Sequence, residues 1–592
     1  MIRRARNSLE PHLRRLHSRA SSSVNGARRT IQAHPGAFVS STLLTAYLFW
    51  YTNTHIVHND AASPVSLSKE RQESSTLLPS GDAGNLHAVV WGSNRSNTLI
   101  PDAVETIRTP SVTKWLDGVA LRDLAIHRHH AACVDARGDV YQWGDGFPSS
   151  DPGKQFKPTL TLRNKNITQL KLTETRLYAL SASGKVYALA TDAEKQKLPA
   201  DNFTRNSCWS TIGLFWRKDE TADFAEITPT EALAWGEKFI SIEAGHNHVL
   251  AMTSKGRAFA HPVNKHANAY GQLGFRKFEI PDPTVPRQSK AKSNIEVELI
   301  PRSIADPYAK SSRLSRLSPT PTISDNLVGI DDRSIRFCPH LFEIPVLKGV
   351  RVAQIAAGGR SSFARTTTGR VLGWGANEYG QIGLGNNIVL DTITVPTEVI
   401  LWRASSPRSG TKCLCITAGG DLTAFVVERV DESSSRTIDL LMCGNGQWGG
   451  LGSNTYSNAQ SVPLRAKNIS GLQEYSDTTK NLRPIAPHAV TISPTGHVLL
   501  TLNTSSEADV GGRDLVVWGK NYESELGNGK KSSLAIPTTL ETPEGGRFML
   551  RNRIAKEVRN LEGKVWGRNL RVEQYAVTGF GSSTVYWKIS TK

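Results

Sequence analysis

The chain is expected to fold as an all-β, seven-bladed β-propeller, closed by its N- and C-terminal strands and preceded by a single transmembrane helix. Three observations lead there. An apolar unit with a glycine hairpin at a fixed place recurs through residues 86–592. A half unit near residue 90 complements a half unit near residue 580. An uncharged apolar run precedes them both.

The N-terminus reads as an address followed by an anchor. Of a formal net charge of +18, residues 1–51 carry +7, from eight arginines against Glu10, which leaves +11 for the rest. Arg3, Arg4, Arg6, Arg14, Arg15, Arg19, Arg28 and Arg29 lie in a Ser-containing, acid-poor stretch, the composition of a mitochondrial presequence, assigned to residues 1–35. No charged residue occurs from Thr30 to Asn59. Within that stretch Ala37, Phe38, Leu43, Leu44, Tyr47, Leu48, Phe49, Trp50 and Tyr51 form an apolar run. The run alone covers about 22 Å as a helix, so uncharged flanks extend the anchor to residues 36–58 for a core of roughly 30 Å. The arginines ahead of it hold the N-terminal side in the matrix, which puts the large domain in the intermembrane space of a single-pass inner-membrane protein. A signal-anchored secretory protein stays open as the alternative, and five N-x-[ST] sequons (Asn94, Asn166, Asn202, Asn468, Asn503) suit it.

Residues 59–85 lack apolar periodicity and read as a flexible tether. The repeat begins after it. Each unit is a strand, a small or His-containing step, a second strand, a glycine hairpin and a third strand ending near Trp-Gly. Copies start near residues 125, 170, 240, 352 and 413, and another ends at 516–529. Trp91, Trp143, Trp374 and Trp518 hold one position, each before a glycine (Gly92, Gly144, Gly375, Gly519), and are read as packing between neighbouring blades. Gly444 holds the glycine place where no Trp precedes it. Gly271, Gly274, Gly380, Gly383, Gly449, Gly452 and Gly527 supply the turns of the tail, while Gly245, Gly358 and His248 belong to the step between the first two strands. Stretches 191–237, 276–348, 386–411, 453–486 and 530–568 break the period and read as long insertions.

The pattern Ala-Gly-x-x-His or Ala-Gly-Gly, glycine hairpin, Trp-Gly-x-Asn-x-x-Gly-Gln-Ile/Leu-Gly resembles the repeat of the regulator of chromosome condensation family over about residues 86–589. The resemblance implies a seven-bladed propeller. WD repeats fit poorly, since no Trp-Asp dipeptide occurs. With presequence and anchor, the chain is similar to fungal mitochondrial inner-membrane members associated with assembly of respiratory complex III. That similarity implies a non-enzymatic scaffold whose partners are respiratory-complex subunits or assembly intermediates, with inner-membrane lipid met through the anchor. The nuclear founder of the family implies the competing role, nucleotide exchange on a small GTPase, but its exchange residues cannot be matched onto this chain.

Chemistry-bearing clusters are sparse. Cys413 and Cys415 alternate within one strand and so should face the same side, without further metal ligands nearby. His127, His129 and His130, and His246 and His248, cluster in sequence, but His130 and His248 share a repeat position that Arg176, Ser361 and Leu422 fill elsewhere. No nucleophile elbow, P-loop, zincin or dinucleotide motif is found, and no basic stripe is interleaved with aromatics, so neither catalysis, a bound cofactor nor nucleic-acid binding is expected.

Overall fold

Strands buried at every position, such as His130–Val134 and His248–Thr253, cannot lie on a surface; they need a neighbour on each face. A ring of sheets stacked face to face supplies this. The computed structural model of the chain describes residues 86–100, 104–147, 158–197, 222–281, 294–305, 330–388, 390–401, 410–431, 435–476, 480–504, 512–542 and 545–590. The presequence, anchor and tether assigned to residues 1–85 lie outside them. Among the described residues no helix is long and apolar enough to cross a membrane.

The protein is an all-β propeller of antiparallel four-stranded sheets. One runs Asp123–Ile126, His130–Val134, Val140–Gly144, Thr159–Leu162, from the inside outwards. The next runs Ile167–Leu172, Arg176–Ser181, Val186–Ala190, Phe224–Pro229. Then come Phe239–Ala244, His248–Thr253, Ala258–Pro262, His340–Glu343, whose last strand also pairs in parallel with Phe224–Pro229 and joins the two sheets. Three more follow, beginning at Val352–Ala357, Gly410–Gly419 and Pro487–Ile492. The first strands of successive sheets are neighbours, and Asp123–Ile126 touches both Ile167–Leu172 and Val565–Thr578, so the order returns to its start.

That return is made by the two ends of the chain. Ser582–Ile589 pairs with Ala88–Ser93 in the register Val89↔Val585, Val90↔Thr584, Trp91↔Ser583, Gly92↔Ser582. Val565–Thr578 and Ser582–Ile589 give the inner half of this composite sheet, Ala88–Ser93 and Thr106–Thr113 the outer half, and no edge is left between them. The core is divided accordingly. Separate apolar clusters fill the gaps between neighbouring sheets; one joins Leu515 and Leu526 to Trp91 and Val585, another Leu422 and Met442 to Leu500 and Trp518.

Two expectations are corrected. Each stretch read as an insertion contains the fourth, outermost strand of its sheet: Phe224–Pro229, His340–Glu343, Thr392–Val399, Ser457–Arg465 and Leu534–Thr539. These strands pack on one face only, so their apolar positions are too few to mark a strand; Phe224–Pro229 buries just two of six residues. Cys413 and Cys415 also fail to share a side. The register shifts between them, pairing Cys413 with Val427 but Cys415 with Val426, and leaves Cys413 buried and Cys415 half-exposed. The same shift recurs at Ile167/Gln169, Phe239/Ser241, Val352/Gln354 and Pro487/Ala489, so the bulge belongs to the inner strand. It aims Gln169 and Gln354 sideways, where each side chain bonds both backbone groups of the next inner strand, Gln169 at Ile242 and Gln354 at Ile416.

Candidate functional site

The tail that follows the third strand in the clearest repeats is built by two buried amides. In Asn-x-x-Gly-Gln-Leu-Gly, Asn268 Oδ1 accepts from the Leu273 N–H at 3.2 Å and its amide donates to the Phe275 carbonyl at 2.9 Å. Gln272 Oε1 accepts from the Tyr270 N–H at 2.8 Å. Asn377 and Gln381 repeat this geometry, and Asn521 and Glu525 repeat it with a carboxyl in place of the amide. Asn94 is the first of these residues: its Oδ1 accepts from Leu99 and its amide donates to Ile100, leaving this sequon buried in the folded protein.

So folded, the tail turns backbone carbonyls toward the next sheet. Trp374 Nε1 donates to the Gln272 carbonyl at 2.9 Å, Trp518 to Gly450 at 2.9 Å, Trp143 to Thr98 at 2.9 Å and Trp91 to Glu525 at 2.8 Å. The last tail glycine, Gly274, Gly452 or Gly527, lies flat against that indole; a Cβ there would stand 3.3, 3.1 or 2.9 Å from the ring nitrogen. Gly271, Gly380 and Gly449 make the first turn of the tail with positive φ, as Gly383 does the second, where Cys443 takes the indole's place and its thiol donates to the Gln381 carbonyl. Gly92, Gly144, Gly375, Gly444 and Gly519, all near φ +100 to +115, pair with the first residue of the second strand, where a Cβ would strike backbone.

A second lock lies beside the first. Ser362 Oγ donates to the Gln272 carbonyl at 2.7 Å and stands 2.9 Å from His248 Nε2 of the preceding sheet; Ser583 does the same between Glu525 and His497. Gly245 and Gly358 leave room for the side chains that follow them, since a Cβ would meet the His248 ring or Ser361 Oγ. Burial pushes the His130, His248 and His497 pKa values down to about 3. His497 and Ser582 share the repeat position of His130 and His248, which sequence reading missed because the flanking strands are less regular there.

The loops between first and second strands gather around the mouth of the ring. His246 N–H donates to Gly359 and Gly359 N–H to Gly420, both at 2.7 Å, tying three loops together. Arg360 is the fixed point of this rim. It meets Glu378 at 2.7 Å and Asp421 at 3.1 Å, and its guanidinium sits 4.6 Å from the Tyr270 ring centre. Burial opposes its charge, but Asp421 and Glu378 outweigh that and raise its pKa. His127 stacks on His130 at 4.8 Å and is held near 4 by burial and by His246, His129 and Arg128, so it is neutral at physiological pH. Arg128 covers Phe580, and His129 pairs with Asp145 at 2.9 Å. Among the described residues no three His, Cys, Asp or Glu side chains are grouped to hold a metal, and the five described cysteines are unpaired. The rim combines the fixed charge of Arg360 with the aromatic faces of Tyr270 and Phe580 and the neutral imidazole of His127.

Locks of this kind define a closed β-propeller whose blades are fastened by a repeated tail. The sequence profile described as Regulator of chromosome condensation (RCC1) repeat matches residues 352–381 and 368–426, and the chain carries RCC1 repeats. It is similar to Protein FMP25, mitochondrial, of Saccharomyces cerevisiae, at 23% identity over 84% of this chain and 72% of that protein. It is also similar to the RCC1 domain-containing protein RUG3, mitochondrial, of Arabidopsis thaliana, at 22% identity over 56% of this chain and 60% of that one. In fold it resembles the crystal structure of Kap60 bound to yeast RCC1 (Prp20), with a TM-score of 0.50 and 15% identity over 90% of this chain and 96% of that one. Both relatives are named as mitochondrial proteins.

Proposed function

We propose that this protein is a non-enzymatic, membrane-anchored interaction scaffold of the mitochondrial inner membrane, which assists assembly of a respiratory complex, complex III. In this reading residues 1–35 direct import, 36–58 span the membrane, 59–85 form the tether, and 86–592 form a ring of seven blades in the intermembrane space. The observation that carries it is the alignment with a mitochondrial yeast protein across 84% of the chain, joined to an acid-poor N-terminus with eight arginines. The rigid ring supports the scaffold role, because loops held at the end of a propeller present a fixed surface to partners.

The test is deletion of the gene, followed by separation of respiratory complexes and protease protection in mitochondria and mitoplasts. The reading expects less mature complex III with other complexes retained, and a propeller digested only after the outer membrane is opened. Normal complex III in the deletion strain removes the assembly role; a propeller protected in mitoplasts removes the assigned side of the membrane.

A further inference from the structure

One element is foreign to the repeat. Asn552–Arg559 pairs with the first part of Val565–Thr578 as a hairpin beyond the composite sheet, in the register Ile554↔Arg571, Ala555↔Leu570, Glu557↔Arg568. Its inner side packs Ala555, Val558 and Val572 against Leu86, the first described residue of the chain, and Trp587. Its outer side is strongly apolar in places. Ile554 is 64% exposed, Val565 43% and Trp566 38%. The hairpin and its flanks also carry six exposed cations: Arg551, Lys556, Arg559, Lys564, Arg568 and Arg571. The only acids between 551 and 571 are Glu557 and Glu562, which make loose pairs of 3.4 and 3.7 Å with Arg568 and Lys564.

We propose that this hairpin docks on the surface of an anionic lipid bilayer. An exposed Trp flanked by aliphatic side chains and long cationic ones is the combination that settles at a membrane interface, with rings at headgroup level and ammonium or guanidinium groups on lipid phosphates. The excess of positive charge complements that surface. The position agrees as well: Leu86, fixed at the base of the hairpin by its carbonyl on Gly118 N–H at 2.9 Å, is where the proposed tether joins the ring. A second contact there would hold the ring in one orientation, with the opposite rim, at Arg360 and His127, turned away from the lipid.

The inference rests on the membrane-anchored reading, yet the two fail differently. The full chain is placed in nanodiscs of phosphatidylcholine, with or without about 30% phosphatidylglycerol, and hydrogen exchange is followed. Peptides from 552–571 should exchange roughly tenfold more slowly in the anionic discs alone. Lys556→Glu/Arg568→Glu/Arg571→Glu should abolish that slowing while the chain stays incorporated. Equal exchange in both discs, with the chain incorporated, overturns the docking site. A chain that enters neither disc contradicts the anchor; its flotation with vesicles of the same compositions then reads the hairpin, where binding to the anionic vesicles alone supports it and no binding overturns it.

Discussion

The indole of Trp91 donates to the carbonyl of Glu525 across 434 residues of sequence, at 2.8 Å. It is the same bond that Trp374 makes to Gln272, so the junction that closes the ring is fastened like an interior one. Trp91→Phe keeps the packing but leaves the Glu525 carbonyl to Ser583 alone, and should cost about 1 kcal/mol. Trp91→Ala also empties a fully buried site and should cost roughly 3 to 5 kcal/mol. Urea unfolding of the two variants checks the ratio; a Trp91→Phe chain as stable as the parent would mean that the indole N–H contributes nothing.

The tail next to this junction departs from its own repeat. Ser524 adopts φ +63 where the tails at Gly271, Gly380 and Gly449 have glycine, and its buried hydroxyl finds no partner. Ser524→Gly should stabilise by roughly 1 kcal/mol, seen as a higher urea midpoint at unchanged slope.

Glu525 is a buried carboxyl in the place of Gln272 and Gln381, with its pKa raised chiefly by burial. Its folded form holds a proton that the unfolded chain, titrating near ~4.3, releases first, so its presence costs stability as pH rises above that value. Glu525→Gln should therefore stabilise at pH 7, by on the order of 1 kcal/mol, and the gain should vanish towards pH 4. A gain independent of pH would contradict this.

His130, His248, His261 and His497 are buried and neutral, each with its pKa depressed to about 3. The unfolded chain takes up these protons near ~6.5 and the folded chain does not, so stability present above that pH is lost as it falls. Each contributes at most about 1.4 kcal/mol per pH unit in that window. His248→Gln should give a shallower acid dependence of the urea midpoint than the parent; an unchanged slope would deny His248 that role.

Much of this was legible because the locks rest on residues that are buried whole. Trp91, Trp143, Trp374 and Trp518 recur at one position since each fills the same gap and meets the same kind of carbonyl. The equivalent place held by Cys443 shares only the contact, not the residue type, so sequence gave no sign of it. The outermost strands were hidden by their half-exposed faces, and the inner-strand bulge at Cys413 and Cys415 by the absence of any residue that marks it. Most of the hairpin at 552–571 was lost inside an apparent insertion because its exposed positions mix charged and apolar residues without a regular alternation. The rim at Arg360 escaped because Tyr270, Glu378 and Asp421 come from separate repeats.

Closure by the two ends is the claim on which the ring, its locks and its proposed orientation depend. The direct measurement is mass spectrometry of the oxidised Val89→Cys/Val585→Cys chain after proteolysis, as these residues face each other in register. The ring expects one intramolecular disulfide joining the peptides that contain positions 89 and 585. Free thiols, or only links between molecules, would contradict it.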